Sequence, residues 1–170
     1  MDLSLARAYQ HLDAITPRDN SVIIMDIDKT AIVNFTEPNI PVLSFYNHFL
    51  SRNFKFIFLT TRPNIDSEKT LSILKLAGYH TIFHLMCMPD DLYFSQTPPQ
   101  TNWKYEQRKN LSHLYSIEAT LDDNPDWLCG EQENTGFPIL IPDQDFYAQP
   151  YRMSYNELYQ RALSECMVAN

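Results

Sequence analysis

Two pairs of aspartates stand at the ends of apolar segments of the chain. Asp26 and Asp28 close the stretch SVIIMDID, and Asp122 and Asp123 close the stretch IEATLDD. Side chains two positions apart in an extended strand point to the same side, so Asp26 and Asp28 are predicted to lie together. Carboxylates held close in a partly buried site repel each other, which raises a pKa or requires a cation such as Mg²⁺. For Asp26 and Asp28 alone, the alternative is an aspartate that caps a turn.

Hydroxyl and cationic side chains occupy two further positions suited to an anion. The segment FIFLTTR ends in Thr60, Thr61 and Arg62, and a hydroxyl followed by backbone N–H groups can hold phosphate oxygens. Lys104 lies in the first turn of a helix predicted over residues 102–115, where the helix dipole already favours an anion. The alternatives are a threonine that serves the strand alone and a solvated surface lysine.

The elements that must position these side chains are predicted by five short apolar runs. The runs are rich in Val, Ile, Phe and Leu, as in strands buried on both faces, and they span residues 21–27, 55–61, 81–88, 117–123 and 137–142. Helices are predicted between and around them, over residues 1–17, 41–53, 66–77, 102–115 and 154–167.

Two smaller features complete this interpretation. Gly78 is predicted as a helix C-cap, and the prolines of residues 89–100 predict a loop. Because strand and helix alternate, the predicted fold class is α/β, a parallel sheet of about five strands with right-handed crossovers. Ligands of such sheets lie at the carboxyl ends of the strands, which is where the aspartates and threonines described above are placed.

Composition and charge limit the classes of function. The 170 residues carry 13 Lys and Arg against 21 Asp and Glu, a formal net charge of −8. The net charge does not support a long nucleic-acid footprint, because an acidic surface repels phosphate polymers, although a nucleotide or a strand end is compatible with it. Neither a linker nor an internal repeat is visible, which predicts a single domain over residues 1–170.

The cysteines and the hydropathy pattern bear on location. Cys87, Cys129 and Cys166 form an odd set without CxxC spacing, which predicts reduced thiols in a cytoplasmic protein. No run approaches the roughly 18 consecutive apolar residues that span a bilayer, so no membrane partner is predicted. The amphipathic N-terminal segment is unlike a signal peptide. No sequence feature indicates an oligomeric state.

Four segments together resemble the ordered motifs of the haloacid dehalogenase (HAD) superfamily of phosphatases. They are residues 21–30 (SVIIMDIDKT), 56–62 (FIFLTTR), 104–108 (KYEQR) and 117–126 (IEATLDDNPD). The specificity lies in their order and spacing, since any one alone matches easily by chance. The chain resembles in particular the small acid-phosphatase-like and polynucleotide-phosphatase-like members. This resemblance implies a Rossmann-like, HAD-like sheet flanked by helices.

The resemblance also implies residue roles. Asp26 would be the nucleophile that becomes phosphorylated, and Asp28 would protonate the leaving oxygen and then activate water. Thr60 would bind a phosphoryl oxygen and Lys104 would neutralise the phosphoaspartate. Thr61 and Arg62 are candidates for substrate binding. Lys29 and Thr61 depart from many relatives, which often carry Gly at the latter position.

A magnesium site is implied by the same resemblance. Asp26, Asp123 and the backbone carbonyl of Asp28 would hold Mg²⁺, with Asp122 and Asp126 as second candidates at the metal. Thr30 is expected to brace the loop that follows the first strand rather than to touch substrate.

The spacing of the motifs bears on the substrate. Only 29 residues lie between Thr30 and Thr60, too few for a cap domain of about 50 residues. An open site suits a bulky phosphorylated substrate, such as a nucleotide or a polynucleotide end. The predicted function is therefore a magnesium-dependent phosphomonoester hydrolase. The alternatives are a catalytically idle HAD-like interaction protein and a phosphoacceptor signalling module of the receiver type.

Overall fold

The computed structural model describes residues 3–95, 100–128 and 132–142. Its strands are β1 (Ser21–Met25), β2 (Ile32–Asn34), β3 (Glu37–Pro38), β4 (Lys55–Pro63), β5 (His84–Met88), β6 (Ser116–Asp122) and β7 (Phe137–Leu140). Its α-helices are α1 (Leu3–Asp13), α2 (Ile40–Ser51), α3 (Ser67–Leu76), α4 (Asp90–Phe94), α5 (Gln100–Ser112) and α6 (Gln132–Thr135). Two 3₁₀ turns cover Asn64–Asp66 and Pro125–Leu128.

Five of these strands form one parallel sheet in the order β5-β4-β1-β6-β7. β1 lies in the centre, with Met25 in register with Phe58 of β4 and Leu121 of β6. The prediction of a five-stranded parallel α/β sheet is therefore confirmed. Numbered along the chain, the sheet strands run 3-2-1-4-5, whereas a receiver-type signalling module has the order 2-1-3-4-5.

The apolar core has two parts, one on each face of the sheet, because successive side chains of a strand point to opposite faces. All five residues of β1 are buried. Ile23 and Met25 pack into the larger apolar cluster with α1 and α2, whereas Val22 and Ile24 pack into a second cluster that includes Trp103 of α5. Successive strand side chains point to opposite faces, so a central strand covered by helices on both sides must be apolar throughout.

The C-cap predicted at Gly78 is one residue too late, since Ala77 is the C-cap of α3 and Gly78 is the next residue. Gly78 has φ +104° and donates its N–H to the carbonyl of Lys75. A residue in this left-handed conformation just after a helix is usually glycine, because a Cβ atom is disfavoured there.

The structure differs from the sequence-based expectations at several places. β5 begins at His84 rather than at residue 81, and α4 lies inside the predicted proline loop, where Pro89 precedes its first turn. The β2–β3 hairpin is too short to show a strand pattern in the sequence. α5 begins at Gln100, directly after Pro98 and Pro99, so Lys104 lies in its second turn and not in its first.

Several predictions fall outside the described residues, namely the helix over residues 154–167 and the thiols of Cys129 and Cys166. Cys87 is described as a free thiol. Among the helices that the structure describes, none combines the length and the apolar character required to cross a membrane.

Candidate active site

Polar side chains from three adjacent strands meet at the carboxyl edge of the sheet. Asp26 directly follows β1, Thr60 lies near the end of β4, and Asp122 is the last residue of β6, with Asp123 next to it. β1 is hydrogen-bonded to β4 on one side and to β6 on the other. The parallel topology thus carries residues from distant parts of the chain to one edge of the sheet.

Lys104 links two of the aspartates. Its Nζ donates to Oδ1 of Asp26 at 2.6 Å and to Oδ2 of Asp122 at 2.7 Å. All three side chains are buried, and that of Lys104 is 1% exposed. Thr30 donates its hydroxyl to the other carboxylate oxygen of Asp26, at 3.2 Å. Asp26 is therefore held on both oxygens, and Thr30 braces the loop through this bond.

Burial and mutual repulsion set the electrostatics of this cluster. Burial, followed by the charge of Asp122, raises the pKa of Asp26, and Lys104 only partly opposes the shift. Burial, followed by the charge of Asp26, raises the pKa of Asp123 to about 6. Burial also raises the pKa of Asp122. For Lys104, burial favours the neutral amine, but the charges of Asp26 and Asp122 outweigh it and raise the pKa.

The aspartates are arranged so that they could share a cation. One carboxylate oxygen from each of Asp26, Asp122 and Asp123 lies within 4.8 Å of the others. Three carboxylates share this interior with the Lys104 ammonium and with the buried Arg108 guanidinium, which acts on Asp122, so an excess of negative charge remains that a divalent cation would compensate. A donor set made entirely of carboxylate oxygens suits a hard divalent metal.

The Asp28 carboxylate is not part of this cluster but forms an ion pair with Arg62. Nε and the guanidinium NH2 group of Arg62 donate to the two carboxylate oxygens of Asp28, at 2.8 and 2.7 Å. The side chain of Asp28 is 53% exposed, and that of Arg62 is 22% exposed. The pair is anchored to β4, since the backbone N–H of Arg62 donates to Oγ1 of Thr60 at 3.2 Å.

The structure thus divides the predicted site residues into two groups. Asp26, Lys104, Asp122 and Asp123 lie together in the interior, and Thr60 is buried at the adjacent strand end. Asp28 and Arg62 lie nearer to solvent, and Thr61 is half-buried between Thr60 and Arg62 in β4. The side chain of Asp126, the second metal candidate, lies outside what the structure describes.

Sequence reasoning missed two side chains near Lys104. The ring of Trp127 lies over the Lys104 ammonium, with 4.0 Å between Nζ and the ring centroid. Arg108, one turn further along α5, is 1% exposed, and its burial lowers the pKa of the guanidinium to about 10. The four-residue spacing of Lys104 and Arg108 was a signal that both lie on one helix face. No pattern in the sequence indicated the position of the Trp127 ring.

The family model described as HAD superfamily, subfamily IIIB (Acid phosphatase), matches residues 36–149 of this chain. The chain belongs to this subfamily of the HAD superfamily. The matched region contains Thr60, Lys104, Asp122 and Asp123, whereas Asp26 and Asp28 precede it. The expected membership of the HAD superfamily is therefore confirmed.

Two soybean (Glycine max) proteins are similar to this HAD-superfamily member. The Stem 31 kDa glycoprotein is 30% identical over 114 residues, and the Stem 28 kDa glycoprotein is 31% identical over 115 residues. Both matches cover 66% of this chain and 44% of the relative. The chain thus spans less than half the length of these relatives.

The fold of this HAD-superfamily member is also found in solved structures. The class C acid phosphatase from Bacillus anthracis superposes with a TM-score of 0.63 at 14% sequence identity, covering 98% of this chain and 87% of that protein. A structure of the same Bacillus anthracis enzyme with tungstate bound gives a TM-score of 0.60 at 14% identity. The similarity establishes a shared HAD-like architecture.

Proposed function

We propose that this chain is a magnesium-dependent phosphomonoester hydrolase that works through a phosphoaspartate on Asp26. The observation that carries the proposal is the buried Asp26 carboxylate, bridged through Lys104 to Asp122 and placed beside Asp123. Membership of an acid phosphatase subfamily supports the same reaction class. Burial raises the pKa of Asp26, and Lys104 opposes that shift and so favours the ionised nucleophile.

In the first step, the Asp26 carboxylate attacks phosphorus and the bond from phosphorus to the leaving oxygen breaks. The proton required by the leaving oxygen comes from Asp28, which stands two residues after the nucleophile. Lys104 neutralises negative charge that develops on the phosphoryl group, and Thr60 supplies a hydroxyl at the adjacent strand end. In the second step, Asp28 takes a proton from water, the water oxygen attacks phosphorus, and the Asp26 carboxylate is released.

Both carboxylate oxygens of Asp28 accept hydrogen bonds from Arg62. Asp28 must leave this pair, at least on one oxygen, to carry a proton to the leaving group. A phosphoryl dianion that binds Arg62 would compete for the guanidinium and free Asp28, because phosphate and carboxylate both match its planar fork. Arg62 then has two tasks, binding substrate and holding Asp28 until substrate arrives.

The residues present fit a divalent metal. Asp26, Asp122 and Asp123 would hold Mg²⁺, and the backbone carbonyl of Asp28 would be a further ligand. When bound, the ion supplies charge neutralisation at the phosphoryl oxygens.

The proposed substrate is a bulky phosphomonoester, such as a nucleotide or a polynucleotide end. Between β1 and β4 the chain forms only a short hairpin and α2, so the part of the chain that the structure describes carries no cap domain after the first motif. Exposed aromatic side chains occur in elements that follow the sheet strands, with Phe35 in the β2–β3 hairpin 91% exposed and Phe94 of α4 65% exposed. Such rings can stack on a base.

The decisive experiment measures hydrolysis of p-nitrophenyl phosphate by the wild-type chain and by Asp26→Asn. We expect the variant to lose all turnover while its circular dichroism spectrum stays unchanged, because an amide cannot act as the nucleophile. The matched control is Asp19→Asn, at an exposed position at the opposite end of β1. Full activity of Asp26→Asn would reject the assignment.

Metal dependence has its own test. Exhaustive treatment with EDTA should abolish turnover, and addition of MgCl₂ should restore it. Unchanged turnover after chelation would show that the aspartate cluster works without a metal. A panel of nucleotides, 3′- and 5′-phosphorylated oligonucleotides, sugar phosphates and phosphopeptides would then identify the substrate class by kcat/KM.

A cytoplasmic location and a single domain over residues 1–170 belong to the same proposal. They rest on the cysteine pattern and on the absence of a linker signal in the sequence. The two soybean relatives are named as stem glycoproteins. Glycans detected by mass spectrometry on the native protein would overturn the cytoplasmic location.

A further inference from the structure

The Lys104 ammonium is enclosed by groups of two kinds. Two of its contacts are the carboxylates of Asp26 and Asp122, and the third is the indole ring of Trp127, with its centroid 4.0 Å from Nζ. A cation over the face of an indole is attracted by the negative potential of the ring, and the attraction increases when water is excluded. The 1% exposure of the Lys104 side chain shows that water is largely excluded here.

The position of Trp127 is coupled to that of the acidic residues by a short hydrogen-bonded segment. The backbone N–H of Asn124 donates to Oδ1 of Asp122 at 3.0 Å, and the backbone N–H of Trp127 donates to the carbonyl of Asn124 at 3.1 Å. The 3₁₀ turn Pro125–Leu128 therefore ties the backbone of Trp127 to the segment that holds the Asp122 carboxylate. One segment orients both an anionic partner and an aromatic partner of the same lysine.

We propose that Trp127 is a positioning residue that holds the Lys104 ammonium between Asp26 and Asp122, an inference that rests on the phosphatase function proposed above. A lysine side chain rotates about four carbon–carbon bonds, so each further contact at Nζ narrows the positions that the ammonium can take. The Trp127 ring adds such a contact without adding an acceptor that would draw Nζ away from the phosphoryl group. Trp127 acts through Lys104 and does not itself contact the reacting atoms.

A role in core packing alone does not account for Trp127. Its side chain is only half-buried, and among the described residues no acceptor lies within hydrogen-bond distance of its buried Nε1. Tryptophans that serve packing usually satisfy this donor when it is buried. Trp103, which neighbours Lys104 in the sequence, packs instead into an apolar cluster with Val22 and Ile24. Trp103 is therefore a matched control for the loss of an indole near Lys104.

The kinetic test compares Trp127→Phe, Trp127→Leu and Trp103→Leu in the wild-type chain. We expect Trp127→Leu to lower kcat for p-nitrophenyl phosphate by about tenfold, a factor within the range of desolvated cation–π contacts, with KM changed less than twofold. Trp127→Phe should keep at least about a third of the wild-type kcat, because a phenyl ring retains a weaker cation–π face. Trp103→Leu should lower stability but leave kcat within about twofold of wild type.

Two outcomes of this comparison would overturn the proposal. Wild-type kcat in Trp127→Leu would show that Lys104 needs no ring. An equal loss of kcat in Trp127→Phe and Trp127→Leu would assign the effect to the indole N–H rather than to the aromatic face.

A second measurement does not depend on activity. In a Trp103→Phe background, Trp127 is the one tryptophan left, since the sequence contains two. Introducing Lys104→Met into that variant should shift the fluorescence emission maximum of Trp127, because the charge next to the ring is removed. An unchanged emission spectrum would reject the Lys104–Trp127 contact. If the wild-type chain hydrolyses no phosphomonoester, the proposed function fails, and this spectrum, compared between proteins with the same circular dichroism spectrum, still tests the contact.

Discussion

Lys104 is the residue on which the charge balance of the site depends. It is the ammonium that contacts both Asp26 and Asp122, and each contact is 2.7 Å or shorter. A buried ion pair of this kind adds little net stability, but removing one partner is costly because it leaves an uncompensated charge in the interior. Lys104 therefore matters to the folding of the site as well as to the chemistry proposed for Asp26.

The two roles proposed for Arg62, holding Asp28 and binding the phosphoryl group, can be separated by the choice of substrate. If Arg62 acts through Asp28, Arg62→Met should lower kcat by about 10²-fold for an alkyl phosphate, which needs a proton donor. The loss should be much smaller for p-nitrophenyl phosphate, whose leaving group needs little protonation. Arg62→Lys should fall between, because an ammonium cannot form the two-point contact with Asp28.

The comparison of leaving groups is measured as kcat for each variant on both substrates. Arg7→Met, at an exposed position of α1, is the control for loss of an arginine. Equal losses of kcat on the two substrates would show that Arg62 serves the phosphoryl group alone.

The sequence predicted the types of site residue better than their contacts. One sheet edge could be predicted for Asp26, Thr60 and Asp123, because each lies at or near the end of an apolar run that predicts a strand. Lys104 could be placed near the same edge, because it lies near the start of a predicted helix. The pairing of Asp28 with Arg62, and of Lys104 with Trp127, could not be predicted, because such contacts depend on rotamers and loop paths that have no periodic signal. The four-residue spacing of Lys104 and Arg108 placed both on one helix face, but it did not indicate that this face is buried.

At the scale of elements, Gly136 fixes the approach of β7 to β6. It has φ +59°, and a Cβ atom built on it would lie 2.4 Å from the carbonyl oxygen of Ile117. Backbone atoms cannot move aside as a flexible side chain can. We expect Gly136→Ala to lower the free energy of unfolding by at least about 2 kcal/mol, from the combined strain and overlap, as measured by urea denaturation.

The matched variant is Gly78→Ala, which also has a positive φ. A Cβ atom at Gly78 would meet only the side chain of Leu43, at 3.2 Å, and that side chain can adjust. Its loss of stability should therefore be smaller, about 1 kcal/mol. If the two variants lose equal stability, the close approach of Gly136 to β6 has no energetic consequence.

The strands of the main sheet were predictable because they are apolar on both faces and long enough to contrast with their neighbours. The β2–β3 hairpin and α4 were not, because elements of two to five residues carry too few positions for a period to appear. The end of β1 was overestimated by two residues, because the chain leaves the strand after Met25. The Asp26 carboxylate then accepts a hydrogen bond from Lys104, and the Asp28 carboxylate accepts hydrogen bonds from Arg62.

At the scale of the whole molecule, the acidic cluster makes stability depend on pH in an unusual direction. The pKa values of Asp26, Asp122 and Asp123 are all raised in the folded state. Groups with raised carboxyl pKa values bind protons more tightly when folded, so their contribution to stability is lost as pH rises from about 4 through 7. Metal-free protein should therefore melt at a lower temperature at pH 7.5 than at pH 5, by at least about 3 °C.

The measurement is thermal unfolding in EDTA and in MgCl₂ at both pH values. Mg²⁺ should raise the melting temperature more at pH 7.5 than at pH 5, because the carboxylates must be ionised to bind it. The pKa of Asp13 is lowered by its bonds to His48 and Arg52. Its contribution to stability therefore changes only below about pH 4, outside the range from pH 5 to pH 7.5. A melting temperature of the metal-free protein that rises from pH 5 to pH 7.5 would contradict the prediction.

The long separation along the chain between the partners of Lys104 has a consequence for synthesis on the ribosome. Lys104 lies 78 residues after Asp26 and 18 residues before Asp122. A nascent polypeptide that has emerged only as far as β5 contains Asp26 but lacks Lys104, Asp122 and Asp123. If Asp26, Lys104 and Asp123 act as proposed, we expect phosphatase activity to appear only after residue 123 has left the exit tunnel, when most of the sheet can assemble.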